Sequence, residues 1–146
     1  MPPGAPGYGL VVRFAYDVIG IIRDQIRDGG RRSEVGGLLF GRDEEVVGVF
    51  AAPNVAPAPQ AEFRIDPEVM DHLLLNEEAR GHELLGSYHS HPRGSAEMSG
   101  ADAAMAMQTG LLLIIACERG RPWDWRLWDP VASGEAEFVV APPYQL

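Results

Sequence analysis

The alternation of hydrophobic and polar residues divides the chain into helical and extended segments. From Ala15 to Ile26 the apolar residues recur every three or four positions, which predicts an amphipathic helix, and Gly29 and Gly30 favour its end. The next two apolar runs, EVGGLLFGR and EVVGVFAAP, have the length of strands and are separated by only two residues. This spacing predicts a β-hairpin.

The middle of the chain contains a proline-rich loop and a second helix. The loop, PNVAPAPQAEFRI, ends at Asp66, which suits a helix N-cap, and Pro67 suits the first turn. This helix is predicted to extend to about Arg80. Beyond it the pattern predicts the strand HELLGSYHSHP, the helix SGADAAMAMQTG and three further strands, LLLIIACE, WDWRLWD and EAEFVVAP.

The mixture of helices and strands indicates one α/β domain over residues 1–146. The sequence has no internal repeat and no break in composition, and 146 residues suffice to bury one hydrophobic core. Residues 1–8 are expected to be flexible.

Composition and charge narrow the functional classes. With 46% apolar and 23% charged residues the chain is typical of globular proteins, and its net charge of −9 argues against binding nucleic acid. The N-terminus lacks a secretory signal pattern and the run LLLIIAC is too short to span a bilayer, so we expect no membrane association. The single cysteine, Cys117, lies in that run, which favours a core position and a reducing, cytoplasmic location.

Two histidines near the end of a predicted strand are candidate metal ligands. Side chains alternate between the two faces of a strand, so His89 and His91 point to the same side, and Pro92 ends the strand. Asp102 is the next candidate, because Ser99 precedes it at the spacing of a capping box and places it in the first turn of a helix. Two imidazoles and a carboxylate leave one tetrahedral position open, as in catalytic zinc sites, although the residue types alone also allow iron or manganese.

A hydrolytic metal site also needs a proton carrier that is not a metal ligand. Glu97 is close in sequence but lies in the connecting turn, where we expect it to be solvated. Glu34 opens an apolar strand with glycines beside it, which lets neighbouring backbones approach closely, and it is the better candidate.

These residues together form a recognisable motif. The sequence Glu34-Val-Gly-Gly-Leu-Leu-Phe-Gly, followed by His89-Ser-His91-Pro, Ser99 and Asp102, resembles the JAMM motif of MPN-domain metalloproteases. The resemblance implies that His89, His91 and Asp102 bind zinc, one ion per chain. It also implies that Glu34 holds the attacking water and moves its proton, and that Ser99 hydrogen-bonds the tetrahedral intermediate.

The resemblance implies a fold and a substrate class as well. The expected fold is a single domain with a mixed central sheet flanked by helices, layered as in cytidine deaminases. The expected reaction is hydrolysis of a peptide or isopeptide bond at the glycine-ended tail of a ubiquitin-like or sulfur-carrier protein. The loop from Pro53 to Arg64 and the segment after Gln108 leave little room for the insertions of eukaryotic members, which indicates a compact prokaryotic-type member. Gly36 and Ser87 depart from the family, where many members have Cys and Trp.

The sequence also allows a second function and makes further predictions. The alternative function is a non-catalytic MPN scaffold that binds a protein partner, and nothing in the sequence specifies the oligomeric state. His72 and His82 are predicted to lie on the surface, and the three tryptophans of WDWRLWD are predicted to serve packing rather than binding. The loop FRID, residues 63–66, lies beside the expected cleft, where it could pair with an extended substrate tail.

Overall fold

The computed structural model describes residues 10–142, so the predicted flexibility of residues 1–8 falls outside the described residues. Three helices and seven strands occur in this range. The helices are α1 (Tyr16–Gly29), α2 (Pro67–Ala79) and α3 (Gly100–Thr109); the strands are β1 (Val11–Phe14), β2 (Gly36–Arg42), β3 (Glu45–Ala52), β4 (Glu83–His91), β5 (Leu111–Glu118), β6 (Arg121–Asp129) and β7 (Gly134–Val140).

The strands form a mixed sheet that closes on itself in the order β1-β3-β2-β4-β5-β6-β7. β1 is parallel to both β3 and β7, β4 is parallel to β5, and the remaining pairs are antiparallel. The sequence pattern did not reveal β1, because four residues are too few to show a period. This short strand joins β3 to β7 and so completes the closure.

Helices cover both faces of the sheet, as expected. The buried side of α1, formed by Val18, Ile22 and Ile26, packs in one core cluster with residues of β1 and β5. On the opposite face Met105 and Ala106 of α3 pack against alternate residues of β5. The apolar run of β5 is continuous because this strand is covered on both faces. Cys117 lies in this run, and burial raises the pKa of its thiol to about 11.

The candidate site lies at the end of the sheet where β4 finishes and β2 begins. Gly36 at the start of β2 lies opposite His89 near the end of β4, and His91 lies beside Ala116 of β5. After β4 the chain turns back and enters α3, which covers this same face. The ends of three elements therefore meet at one edge.

The remaining histidines and tryptophans agree with the predictions only in part. His72 is exposed, but His82 is half-buried, because its Nδ1 lies 3.0 Å from Oε1 of the buried Glu77. Trp128 packs against the cluster around α3, whereas Trp123 is 57% exposed.

Within residues 10–142 no helix has both the length and the apolar character needed to cross a bilayer.

Two glycines provide a matched test of the close strand pairing. A Cβ added at Gly86 would lie 2.0 Å from the main-chain oxygen of Leu111 on the neighbouring strand, whereas a Cβ at Gly20 in α1 meets nothing within 4 Å. We expect Gly86→Ala to lower the free energy of unfolding by at least about 2 kcal/mol, and Gly20→Ala to raise it by about 0.5–1 kcal/mol. Urea unfolding of both variants measures this, and equal stabilities would contradict the register of β4 and β5.

Candidate metal centre

Two neighbouring strands bring a glutamate and two histidines together. Glu34 lies two residues before β2, and its neighbour Val35 is hydrogen-bonded to β4: Ser90 N–H donates to Val35 O at 2.8 Å. The hydroxyl of Ser90 accepts from Val35 N–H at 3.1 Å. Because Ser90 points away from the histidine face, this contact fixes the start of β2 beside His89 and His91 without occupying the site.

The third candidate ligand comes from the first turn of α3. Asp102 Oδ1 lies 2.7 Å from Nε2 of His89, and Oδ2 lies 3.2 Å from Nε2 of His91. Glu34 Oε1 lies 3.8 Å from Nε2 of His89. One ligand atom from each of the four residues lies within 4.8 Å of the others. The four residues that the sequence predicted for the metal and the proton carrier therefore form a single cluster.

This cluster has the chemistry of a cation site. Glu34 and Asp102 are each 5% exposed and His89 is 1% exposed. Both ring nitrogens of His89 and Oε1 of Glu34 are buried without a hydrogen-bond partner among the described residues, and the 2.7 Å approach to Asp102 lacks hydrogen-bond geometry. Ligands about 2.0–2.1 Å from a tetrahedral zinc ion stand about 3.3 Å apart, close to the spacings seen here. The donor atoms thus fit a shared cation better than they fit one another.

Contacts outside the cluster orient its ligands. Nδ1 of His91 lies 2.7 Å from the carbonyl oxygen of Ser95 and donates to it, which leaves Nε2 free to bind a metal. Asp102 and Ser99 form the predicted capping box: Asp102 N–H donates to Ser99 Oγ at 3.2 Å, and Ser99 N–H donates to Asp102 Oδ2 at 2.9 Å. Ser99 is exposed, and its hydroxyl group takes part in the capping box only as an acceptor. The hydroxyl hydrogen is therefore available to a further acceptor.

Burial and close charges shift the pKa values of the cluster. Burial raises the pKa of Glu34 to about 7; protonated His91 opposes this rise and the negative charge of Asp102 adds to it. Burial also acts to raise the pKa of Asp102, but its close approach to His89 and its hydrogen bond with His91 outweigh this effect and hold that pKa far below its usual range. Glu34 is therefore the carboxyl group of the cluster that exchanges its proton near neutral pH.

The structure also accounts for Gly36 and Ser87, the two positions that differ from many family members, and for Glu97, which was not expected to carry the proton. Ser87 is fully buried and its hydroxyl pairs with that of Thr109 in α3 at 2.8 Å. A Cβ at Gly36 would lie 2.2 Å from Tyr88 O and 2.9 Å from a ring carbon of Phe63, so glycine permits the tight packing behind His89. Glu97 is exposed, as predicted.

Two residues beside the cluster have contacts that the sequence patterns did not reveal. Phe63 stacks on the ring of His89 at a centroid distance of 6.0 Å and shields it from solvent. Asn54 donates to the carbonyl oxygen of Glu34 at 2.9 Å. An asparagine in a proline-rich loop often bonds the backbone, but the sequence does not show which distant residue it reaches.

The raised pKa of Glu34 predicts that the free energy of unfolding of the metal-free protein falls as the pH rises. A folded-state pKa near 7, above the ordinary value of 4.5, gives stability that is present below pH 4.5 and lost as the pH rises through 7. Glu34→Gln removes this loss, so the metal-free variant should exceed the wild type by up to about 3 kcal/mol at pH 8 and match it near pH 4.

Urea unfolding in excess chelator at both pH values measures this difference. Glu97→Gln is the control, since that carboxylate is exposed and its removal should leave the pH dependence unchanged. Parallel stability curves for Glu34→Gln and the wild type would show that Glu34 is not buried as described.

Comparison with known sequences and structures agrees with this geometry. The sequence model described as "Prokaryotic homologs of the JAB domain" matches residues 17–129. A protein of Pyrococcus furiosus named "Desampylase" is 32% identical over 107 residues, which are 73% of this chain and 76% of that protein. A protein of Thermus thermophilus named "Probable TtuB-protein conjugate cleaving protease" is 34% identical over 101 residues, 68% of this chain and 67% of that protein.

Solved structures confirm the predicted fold. A crystal structure described as a JAB1/MPN domain protein from Archaeoglobus fulgidus superposes with a TM-score of 0.62 at 18% identity, covering 91% of this chain and all of that one. The mixed sheet with helices on both faces is therefore the one expected from the motif. The chain belongs to the prokaryotic branch of the JAB/MPN family.

Proposed function

We propose that this protein is a zinc-dependent isopeptidase that releases ubiquitin-like or sulfur-carrier proteins from their conjugates. The observation that carries the proposal is the buried cluster in which Glu34 lies 3.8 Å from a histidine held against Asp102. Two relatives support the activity class, since one is named a desampylase and the other a conjugate-cleaving protease. This is the reaction predicted from the sequence.

The donor set supports zinc as the metal. His89, His91 and Asp102 offer two imidazole nitrogens and a carboxylate oxygen, a common combination in catalytic zinc sites. Bound zinc supplies a Lewis acid for the scissile carbonyl and lowers the pKa of a coordinated water to about 7. The hydrogen bond from His91 to Ser95 O presents the metal-binding nitrogen of the ring inward.

In the proposed mechanism Glu34 is the general base and then the general acid. Its pKa near 7 lets it accept the proton of the attacking water and return it to the leaving amine. The hydroxyl of Ser99 donates to the oxyanion of the tetrahedral intermediate. Phe63 covers one side of the His89 ring and excludes water from it.

A groove beside the cluster suits an extended tail. It has a volume of ≈ 410 Å³ and is lined by the loop from Glu62 to Ile65, by α2 and by the small residues Ala101 and Ala104 of α3. Ala101 is adjacent to Asp102, so the groove leads toward the metal ligands. Arg64 N–H and C=O already bond Asn54 and Val55, which leaves the other edge of this loop for strand addition to a substrate.

The role of Glu34 is tested by Glu34→Gln. The variant should retain about one zinc per chain and lose about 10²–10⁴-fold in kcat on a glycine-ended isopeptide conjugate, because a neutral amide cannot accept the proton. Glu97→Gln, a nearby exposed carboxylate, should match the wild type. Unchanged hydrolysis by Glu34→Gln would remove Glu34 from the mechanism, and zinc-free wild-type protein would favour the scaffold alternative.

The role of the groove is tested by adding bulk to one face of α3. Ala104→Phe narrows the groove and should raise KM for the conjugate about tenfold or more with little change in zinc content. Met107→Phe is the control, because Met107 is 79% exposed on the same helix and does not line the groove. Equal KM values for the two variants would place the tail elsewhere.

A further inference from the structure

Asn54 connects Glu34 to the loop that forms one wall of the groove. It lies two residues after β3 and is half-buried. Its side chain has five hydrogen-bond contacts, all to main-chain atoms. The two hydrogens of Nδ2 are donated to the carbonyl oxygens of Glu34 (2.9 Å) and Glu62 (2.9 Å), and one of them is shared with that of Pro59 (3.4 Å). Oδ1 accepts from the N–H groups of Ala56 (3.0 Å) and Arg64 (3.2 Å).

The surroundings of Asn54 define its orientation and its residue type. Its nitrogen faces only carbonyl oxygens and its oxygen faces only amide groups, so the opposite orientation of the amide would break every bond. An aspartate has the same shape but directs a second oxygen at the three carbonyls, while alanine leaves all five groups without this partner. Among uncharged side chains of this length, only asparagine supplies both a donor and an acceptor here.

Glu34 needs such a contact because it lies outside the strand ladder. β2 begins at Gly36, so no ladder bond fixes the main chain of Glu34. Instead its N–H donates to Pro59 O at 2.8 Å and its C=O accepts from Asn54. Both contacts come from the loop after β3, and Asn54 also bonds Pro59.

We propose that Asn54 is a positioning residue for catalysis, which sets the carboxylate of Glu34 against the metal ligands and couples that position to the groove wall. This inference rests on the proposed function of Glu34. The hydrogen bonds of Asn54 go to main-chain atoms and not to the carboxylate of Glu34, so Asn54 acts through the Glu34 main chain. A displacement of a catalytic group by about 1 Å is enough to cost ~10² in rate.

The test compares Asn54→Asp with the wild type. The aspartate retains an oxygen for the amides of Ala56 and Arg64 but loses the donor to Glu34. We expect kcat on the isopeptide conjugate to fall about 10–100-fold, with KM within about threefold and zinc content unchanged. Amide hydrogen exchange at Glu34 should become at least about tenfold faster while exchange in β5 stays unchanged.

Arg42→Gln is the matched control, because it removes a side-chain bond to a main-chain oxygen, Gly81 O at 2.7 Å, at the far end of β2. It should leave kcat and Glu34 exchange at wild-type values. The proposal is overturned if Asn54→Asp keeps full kcat, if its kcat falls only in proportion to lost zinc, or if Glu34 exchange does not change. Should the wild type prove inactive, the proposed function fails, while the exchange measurement still decides whether Asn54 holds Glu34.

Discussion

The pairing of β2 with β4 is the constraint on which the rest of the site depends. Their register places Gly36 opposite His89 and leaves Glu34 just beyond the ladder, next to the end of β4. A shift of one residue in β4 would turn His89 and His91 toward the α1 face and bring Tyr88 and Ser90 to the face where Glu34 and Asp102 lie. Core packing opposes such a shift, because Tyr88 is buried beneath α1, where its hydroxyl donates to Gln25. The same core that stabilises the closed sheet therefore also fixes the positions of the candidate ligands.

The cluster buries four ionisable side chains close together, an arrangement that does not by itself stabilise the fold. Two carboxylates and two imidazoles share a volume from which water is largely excluded, and several of their polar atoms lack partners among the described residues. Burying such groups costs free energy unless a counter-charge compensates. Strong cores on both faces of β5 provide the stability against which this cost is set. The stability of the surrounding sheet thus offsets the cost of burying the cluster.

Much of this arrangement could be predicted because it depends on short-range patterns. The period of two in β4 placed His89 and His91 on one face, and the capping spacing placed Asp102 at the start of α3. The features that the sequence did not predict depend on contacts between residues far apart in the chain. β1 acquires its strand conformation from β3 and β7, His82 is partly buried by Glu77, and Asn54 acts on a residue twenty positions earlier. None of these partners is specified by local periodicity.

The capping box at α3 has a consequence for coordination number. A carboxylate that binds a metal through both oxygens fills two positions of its coordination shell. Here Oδ2 of Asp102 accepts from the helix N-terminus through Ser99 N–H, whereas Oδ1 faces His89. Oδ2 also lies 3.2 Å from Nε2 of His91, so Oδ1 is the oxygen that has no bond to the helix. A cation held through Oδ1 alone would use one coordination position for Asp102 rather than two, which would leave room beside it for water and substrate.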